Sequence, residues 1–246
     1  MNTSLVIGAT KGLGREVVAK FLSRGDRVIA VGRGTASYPG DGTGQLDQRS
    51  VDLADAAAVD GFIASLCAEN VRLNYLVFCQ RYRGQGDPWA GELDVSVRAT
   101  RQFIDKAKEL FAPTGDRGMV SVSSVFGDFV GEGQPASYHV GKAAANHLMR
   151  HAAVNLGRNG IRSNTVTPFT FLKEESCEFY LANDKLMKLY EGIVPLGRMG
   201  SAADSANVIA FLCSPEAAYV TGQNIYVDGG LSLVWPETLA RKLQSL

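Results

Sequence analysis

Residues 4–25 read SLVIGATKGLGREVVAKFLSRG, and this stretch decides the fold class. The first six residues, SLVIGA, suit a strand. Glycines stand at Gly8, Gly12 and Gly14, and the apolar residues that follow recur at helical spacing until Gly25. In a strand–turn–helix unit such glycines let the backbone approach a pyrophosphate, and the helix N-terminus offers unpaired N–H groups. The stretch therefore predicts the first βα unit of a dinucleotide-binding sheet.

Segments typical of strands and of helices alternate along the rest of the chain. The further strand-like segments are RVIAVG, QRSVDL, NYLVFC, GMVSVSS, IRSNTVTP and QNIYVDGG. Between them lie the helical segments DAAAVDGFIASLCAEN, ELDVSVRATRQFIDKAKELF, SYHVGKAAANHLMRHAAVNLG and SAADSANVIAFLCS. This order, without a repeat or a long polar linker, predicts an α/β fold: one doubly wound domain over residues 1–246, with a parallel sheet covered by helices on both faces. Ligands are expected at the carboxyl ends of the strands.

Two regions interrupt the alternation. Residues 34–47 are rich in glycine, which predicts a surface loop. Residues 169–192 carry aromatic and aliphatic side chains among charges, which fits either a helical excursion packed on the body or a lid over a substrate pocket. Their position at the ligand edge of the sheet favours the lid.

Composition excludes several classes of protein. The chain has 246 residues, is 46% hydrophobic, and balances 25 basic against 25 acidic residues, so no basic surplus suggests a nucleic-acid or anionic-membrane partner. No apolar run reaches transmembrane length, and no secretory signal pattern is present. The four cysteines form no CxxC pair. We expect a cytoplasmic protein with reduced thiols.

The end of the second predicted strand indicates the cofactor. NAD-binding folds of this kind place an acidic residue there, roughly 20 residues beyond the glycines, to bind the ribose 2′-hydroxyl. This chain has Gly32 followed by Arg33, so a guanidinium is available to pair with a 2′-phosphate. Lys11 adds a second positive charge within the glycine-rich turn. The two cations at one corner predict NADP(H).

Tyr138 and Lys142 stand four residues apart in a predicted helix, so both side chains project from one face. A free phenol has a pKa of about 10 and is a poor acid at neutral pH. An ammonium group about 4 Å away favours the phenolate by on the order of 4 kcal/mol at an effective dielectric constant of about 20, before screening by solvent. Such a phenol can give a proton to a carbonyl or take one from an alcohol. A serine at the end of the preceding strand, VSVSS, can polarise the same oxygen.

These motifs resemble those of the short-chain dehydrogenase/reductase family, and the resemblance covers nearly the whole chain. GATKGLG is similar to the family's TGxxxGIG turn, VDL at residues 51–53 to its adenine-contacting segment, and VSVSS with Tyr138 and Lys142 to its catalytic Ser, Tyr and Lys. The tail from residue 195 to 230 is similar to 3-oxoacyl carrier-protein reductases and related carbonyl reductases. The resemblance implies a seven-stranded Rossmann sheet. It also implies a homotetramer or homodimer, in which the Tyr-bearing helix and the helix over residues 91–111 form one interface.

The resemblance also assigns site residues. The implied catalytic residues are Ser124, Tyr138, Lys142 and Ser96, with Ser123 as an alternative to Ser124 because the spacing to Tyr138 is one residue longer than usual. The implied cofactor-binding residues are Gly8, Thr10, Lys11, Gly12, Leu13, Gly14, Arg33, Asp52, Leu53, Cys79, Gln80, Tyr138, Lys142, Pro168 and Phe171. No metal is expected, since His147 and His151 have no evident third ligand.

The chain departs from the family pattern at several positions. Phe78, Cys79, Gln80 and Arg81 replace the family's NNAG, so two small positions beside the cofactor become large. Ser96 stands where the family has a catalytic Asn, and its shorter side chain puts in doubt the water that links the lysine to solvent. After the sixth strand the usual Pro-Gly becomes Pro168 followed by Phe169, and Lys173 stands where a phosphate-binding Thr is frequent. The departures indicate a specialised member.

The expected function is NADPH-dependent reduction of a ketone or aldehyde, or the reverse oxidation of an alcohol. The aromatic segment 169–192 and an opposite wall formed by residues 78–89 favour a hydrophobic or aromatic substrate, with Arg81, Arg83 and Trp89 available to recognise a carboxylate, a phenol or a planar ring. One alternative is a 3-oxoacyl carrier-protein reductase. Another, of a different class, is a dinucleotide-binding sensor or scaffold without catalysis.

Overall fold

Seven parallel strands form one sheet in the computed structural model, which describes residues 1–39, 42–172 and 177–244. The strands are β1 (Thr3–Ile7), β2 (Arg27–Gly32), β3 (Gln45–Ser50), β4 (Tyr75–Phe78), β5 (Gly118–Val122), β6 (Arg162–Pro168) and, last in the chain, β9 (Asn224–Val227). Two short strands, β7 (Phe171–Leu172) and β8 (Gly200–Ser201), form a separate parallel pair. The order β3-β2-β1-β4-β5-β6-β9 reverses direction between β1 and β4, which is where ligands bind in such sheets.

Helices cover both faces of the sheet. They are α1 (Gly12–Ser23), α2 (Ala56–Ala68), α3 (Pro88–Glu92), α4 (Ala99–Asp105), α5 (Ala107–Leu110), α6 (Ala136–Leu156), α7 (Cys177–Leu181), α8 (Asp184–Ile193), α9 (Ala202–Leu212) and α10 (Pro236–Gln244). Successive side chains of β1 point to opposite faces of the sheet and so contribute to the hydrophobic cores on both faces. Leu5 and Ile7 pack with side chains of α2, α4 and α6, while Val6 packs with those of α1 and α9. The doubly wound fold and the seven-stranded sheet are therefore confirmed.

The third strand differs from the prediction. It begins at Gln45, inside the predicted loop over residues 34–47, and ends at Ser50 rather than at residue 53. Its sequence, QLDQRS, carries little strand signal, but it pairs with β2 along its whole length as the edge of the sheet. Asp47 forms ion pairs with Arg49 and Arg27, which suit this half-exposed position. Pairing with a buried neighbour therefore overrides the polar composition.

The long helix predicted over residues 92–111 is interrupted twice. A π-helical turn covers Leu93–Arg98, and a second break falls at Lys106. The hydroxyl of Thr100, in the first turn of α4, donates to the carbonyl oxygen of Ser96 in the π-helical turn at 2.8 Å, so this backbone acceptor also takes a side-chain hydrogen bond. Across the described residues, no helix combines the length and the apolar composition needed to cross a membrane.

Candidate active site

Two cavities meet at the carboxyl edge of the sheet, beside the point where the strand order reverses. The inner cavity, of about 440 Å³, is lined by residues 11–14, 79–81, 83, 122–126, 134, 138, 142, 168–171 and 180. The outer cavity, of about 550 Å³, is lined by residues 8, 10, 11, 32–35, 51–54, 79–84 and 95. The two cavities adjoin, and we call them together the groove; the residues that border both are Lys11, Cys79, Gln80, Arg81 and Arg83. Every residue predicted to bind the cofactor lines one of the two cavities.

The glycine-rich turn is packed so closely that side chains are excluded from it. Gly8 has φ +78, and a Cβ there would lie 2.6 Å from the backbone nitrogen of Gln80, while a Cβ at Gly14 would overlap the carbonyl oxygen of Gly8. Lys11 is the N-cap of α1 and makes no side-chain capping hydrogen bond, so the first N–H groups of the helix remain for another acceptor. These donors face the inner cavity, and the arrangement fits a dinucleotide pyrophosphate.

The outer cavity places the predicted NADP corner at the ends of β2 and β3. Arg33 is exposed there, and its guanidinium donates to the carbonyl oxygen of Arg83 at 3.5 Å. Asp52 and Leu53 border the same cavity, and Lys11 lies on its inner side. A 2′-phosphate placed between Arg33 and Lys11 would meet two cations.

Tyr138 and Lys142 lie on the first turns of α6, and Ser124 follows β5; all three line the inner cavity. Lys142 is only 5% exposed, and its Nζ donates to the carbonyl oxygen of Val122 at 3.0 Å and lies 5.8 Å from the centre of the Tyr138 ring. The Oγ of Ser124 accepts from the backbone N–H of Phe126, which leaves its own proton free to donate. A phenol and a hydroxyl, each able to donate a hydrogen bond to a carbonyl oxygen, therefore line the same cavity.

Ser123 and Ser124 differ in their surroundings. The Ser123 Oγ is buried without a hydrogen-bond partner, and it lies with the Asn146 amide beside Gly127, where a Cβ would be 3.2 Å and 3.0 Å from them. Both polar atoms of the Asn146 side chain also lack a partner among the described residues. Such a cluster suits a buried water rather than a substrate. Ser124 is therefore the better candidate for the hydrogen bond to a carbonyl oxygen.

We expect Ser124→Ala to lower kcat by roughly 100-fold, the scale found when one donor to a developing oxyanion is removed. The matched control Ser123→Ala removes a hydroxyl of the same size one residue away and should keep kcat within severalfold. Steady-state rates of both variants with one carbonyl substrate test this. A larger fall in kcat for Ser123→Ala than for Ser124→Ala would assign the hydrogen bond to the carbonyl oxygen to Ser123 instead.

Ser96 lines neither cavity. It is 3% exposed within the π-helical turn, and its Oγ donates to Oε1 of the buried Glu92 at 2.5 Å. Two hydrogen bonds link the backbone of Ser96 to the groove. The Gln80 side chain donates to the Thr100 hydroxyl, and this hydroxyl donates to the Ser96 carbonyl oxygen. The structure thus brings together the other predicted catalytic residues but not the Ser96 side chain. Glu92 carried no sequence signal beyond its place in the helical segment.

The segment after β4 provides the contact that sequence reasoning missed. The Arg81 guanidinium carbon lies 4.5 Å above the centre of the Tyr138 ring. The sequence predicted Arg81 in a cavity wall but did not predict its contact with this ring. The available signal was an arginine at a position where the family has a small residue. Trp89, which was expected in the same wall, lies in α3, is 48% exposed and lines neither cavity. That expectation was wrong.

Aromatic side chains surround the rest of the inner cavity. The ring centres of Phe126 and Tyr138 lie 6.4 Å apart. The predicted lid contributes Phe169, Phe171 and Tyr180 to the cavity wall. The lid includes Lys173, which lies outside the described residues. Burial raises the pKa of the Cys79 thiol to about 12, so this cavity residue is protonated at neutral pH. Within the described residues, no group of three or more His, Cys, Asp or Glu side chains could hold a metal ion.

Comparisons with known proteins agree with the fold. A family model described as enoyl-(acyl carrier protein) reductase matches residues 8–232. The chain is 28% identical to a tropinone reductase homolog of Arabidopsis thaliana, over 94% of this chain and 91% of the relative. It is also 28% identical to the 3-oxoacyl-[acyl-carrier-protein] reductase FabG of Staphylococcus aureus, over 93% and 97%. A short-chain type dehydrogenase/reductase from Mycobacterium ulcerans superposes with a TM-score of 0.82 at 27% identity, over 94% and 90%.

The groove and its glycine-rich turn define a nicotinamide-dinucleotide oxidoreductase of the doubly wound class. The chain belongs to the short-chain dehydrogenase/reductase family.

Proposed function

We propose that this protein uses NADPH to reduce the carbonyl of a hydrophobic or aromatic ketone or aldehyde, or oxidises the corresponding alcohol. The observation that carries the proposal is that Ser124, Tyr138 and Lys142 line one cavity, into which the uncapped N-terminus of α1 also opens. Two of the similar relatives are named as a carbonyl-reducing enzyme or its homolog, which supports the same reaction class. The family fold supports a nicotinamide cofactor.

The chain's own residues divide the proton chemistry among them. The bound cofactor supplies the hydride. The Ser124 hydroxyl donates a hydrogen bond to the carbonyl oxygen, and the Tyr138 O–H bond breaks as its proton passes to that oxygen to form the alcohol. Lys142 stabilises the phenolate that remains, and it would donate to ribose hydroxyls of a bound cofactor. In the reverse direction the Tyr138 phenolate accepts the alcohol's proton.

Within this proposal, NADPH should bind at least about tenfold more tightly than NADH, because Arg33 and Lys11 border the cavity where a 2′-phosphate would lie. Arg33→Asp should reverse the preference, since a carboxylate favours the free 2′-hydroxyl. Titration of cofactor fluorescence measures both constants. The control is Arg158→Asp, which makes the same charge change at an exposed site on neither cavity wall and should keep the preference. Equal affinities of the wild type for NADPH and NADH would contradict the proposed binding of a 2′-phosphate by Arg33 and Lys11.

A panel of carbonyl compounds tests the function itself. Oxidation of NADPH is followed with aromatic ketones, polycyclic ketones, small sugars and acetoacetyl thioesters. The proposal expects the highest kcat/KM with planar or polycyclic ketones, because Phe126, Phe169, Phe171 and Tyr180 line the cavity. Highest activity with acetoacetyl thioesters would instead favour the 3-oxoacyl carrier-protein reductase function.

One observation favours a second function. Arg81 lies over the Tyr138 ring, and a guanidinium that stayed there could restrict access to the phenol. A dinucleotide-binding sensor or scaffold would show this combination of an intact cofactor groove and a covered tyrosine. Cofactor binding without oxidation by any carbonyl would support it.

The family likeness also leads us to propose a homotetramer or homodimer in which α6 and the helices over residues 91–111 form one interface. Val140 and Val154 on α6 are 43% and 81% exposed, which supports a covered outer face. Light scattering coupled to size-exclusion chromatography should give a mass of two or four chains. Asp in place of Val154 should lower that mass, and a monomeric wild type would contradict the proposal.

A further inference from the structure

We propose that the substrate carries a carboxylate, and that Arg81 binds it beside Tyr138. This rests on the proposed carbonyl reductase function and specifies its substrate class. The inner cavity is lined by four cationic side chains, Lys11, Arg81, Arg83 and Lys142, and among the described residues that line it there is no aspartate or glutamate. A cavity wall with one sign of charge attracts and orients anions.

Two of the four cations have other roles in the proposed function. Lys11 occupies the N-cap position of α1, where the pyrophosphate is expected, and Lys142 is buried with its Nζ donating to the Val122 carbonyl oxygen. Cofactor binding and proton transfer therefore leave the arginines after β4 without a role at the reacting end. Arg83 borders both cavities, and its backbone carbonyl oxygen accepts a hydrogen bond from Arg33 at the outer one. Arg81 is the one that reaches the tyrosine.

The position of Arg81 suits a substrate contact. Its guanidinium stacks on the Tyr138 ring at 4.5 Å, and within the described part of the chain it forms no ion pair with a carboxylate. Stacking uses the face of the guanidinium and leaves the N–H donors at its edge available. A planar guanidinium and a carboxylate match in a two-bond geometry. A carboxylate bound there would lie beside the phenol that protonates the carbonyl.

The aromatic part of the cavity wall indicates the chemistry of the substrate beyond its carboxylate. Phe126, Phe169 and Tyr180 present aromatic surface to the same space, so the apolar body of the substrate can pack there while the carboxylate pairs with Arg81. The substrate class is thus an aromatic or apolar oxo acid. A neutral ketone of the same shape would leave the Arg81 guanidinium without a carboxylate to pair with.

The test compares 4-acetylbenzoate with its methyl ester and its amide, which share the ketone and the ring and differ in the anion. With NADPH saturating, wild-type kcat/KM should favour the anion over the ester by at least about tenfold, the size of one hydrogen-bonded charge contact. Arg81→Gln should bring that ratio to about one, Arg81→Lys should give an intermediate ratio, and Arg158→Gln should leave it as in the wild type. Because both substrates are measured on the same preparation, a loss of folded protein in a variant lowers both kcat/KM values equally and leaves their ratio unchanged.

A second measurement separates this proposal from the proposed function. Calorimetric titration of 4-acetylbenzoate into the protein loaded with NADP⁺ forms a complex that cannot reduce the ketone. Binding that Arg81→Gln weakens by about tenfold or more supports the carboxylate site even if no ketone is ever reduced. Reduction of the ester at the same kcat/KM as the anion would keep the reductase function and overturn the site. No binding of the anion to the wild type, or tighter NADPH binding by Arg81→Gln, would also overturn it.

Discussion

Tyr138→Phe is expected to lower kcat by at least ~100-fold, the usual contribution of a positioned general acid. The change removes the phenol proton and keeps the ring, so the contacts of the ring with Arg81 and Phe126 persist. The dissociation constant for NADPH should therefore stay close to the wild-type value. Steady-state rates and fluorescence titration of the same preparations measure the two effects.

Tyr75→Phe is the matched control for that substitution. The Tyr75 hydroxyl donates to Asp116 at 2.7 Å at the amino end of β4, and the residue lines neither cavity. Its loss should cost about 1 kcal/mol of the free energy of unfolding, as for a typical hydrogen bond, and should leave kcat almost unchanged. A Tyr138→Phe variant that turned over as fast as this control would show that Tyr138 is not the acid.

Lys142→Met is expected to weaken NADPH binding at least tenfold and to lower kcat by about 100-fold or more, because one ammonium serves both the ribose and the phenol. The substitution should not destabilise the fold. Lys142 is 5% exposed and forms no ion pair with any described residue, so a methionine of similar length removes a buried charge held by a single carbonyl.

Fluorescence titration measures NADPH binding, steady-state assays measure kcat, and thermal unfolding without cofactor measures the stability of the fold. Lys108→Met changes an exposed lysine on α5, outside both cavities, and should alter none of the three. Unchanged NADPH affinity in Lys142→Met would contradict the double role of this lysine. A large fall in its melting temperature would contradict the expectation that the buried Lys142 charge does not stabilise the fold.

The features that the sequence predicted are those encoded locally. The turn from Gly8 to Gly14 combines a strand, closely spaced glycines and a helix start, and each is visible in adjacent residues. Tyr138 and Lys142 lie on one helix, so their spacing alone places them together. For the same reason the doubly wound order could be predicted from the alternation of segments.

What the sequence did not predict depends on contacts between distant segments. Strand β3 forms because β2 is beside it, and its own residues carry little strand signal. Arg81 and Tyr138 are far apart in the chain, and only the packing of β4 beside β5 and α6 brings the guanidinium over the ring. Ser96 was assigned by family likeness, but a π-helical turn and the carboxylate of Glu92 hold its side chain away from the groove.

The central claim is that hydride and proton reach a carbonyl in the inner cavity, and isotope transfer tests it most directly. The protein is incubated with NADPH that carries deuterium at both positions on C4 of the nicotinamide and with 4-acetylbenzoate or a polycyclic ketone, and the products are analysed by mass spectrometry. We predict an alcohol carrying one deuterium on the former carbonyl carbon, formed by the wild type and at least ~100-fold more slowly by Tyr138→Phe. Tight NADPH binding with no deuterated alcohol from any ketone would contradict the claim and identify a dinucleotide sensor.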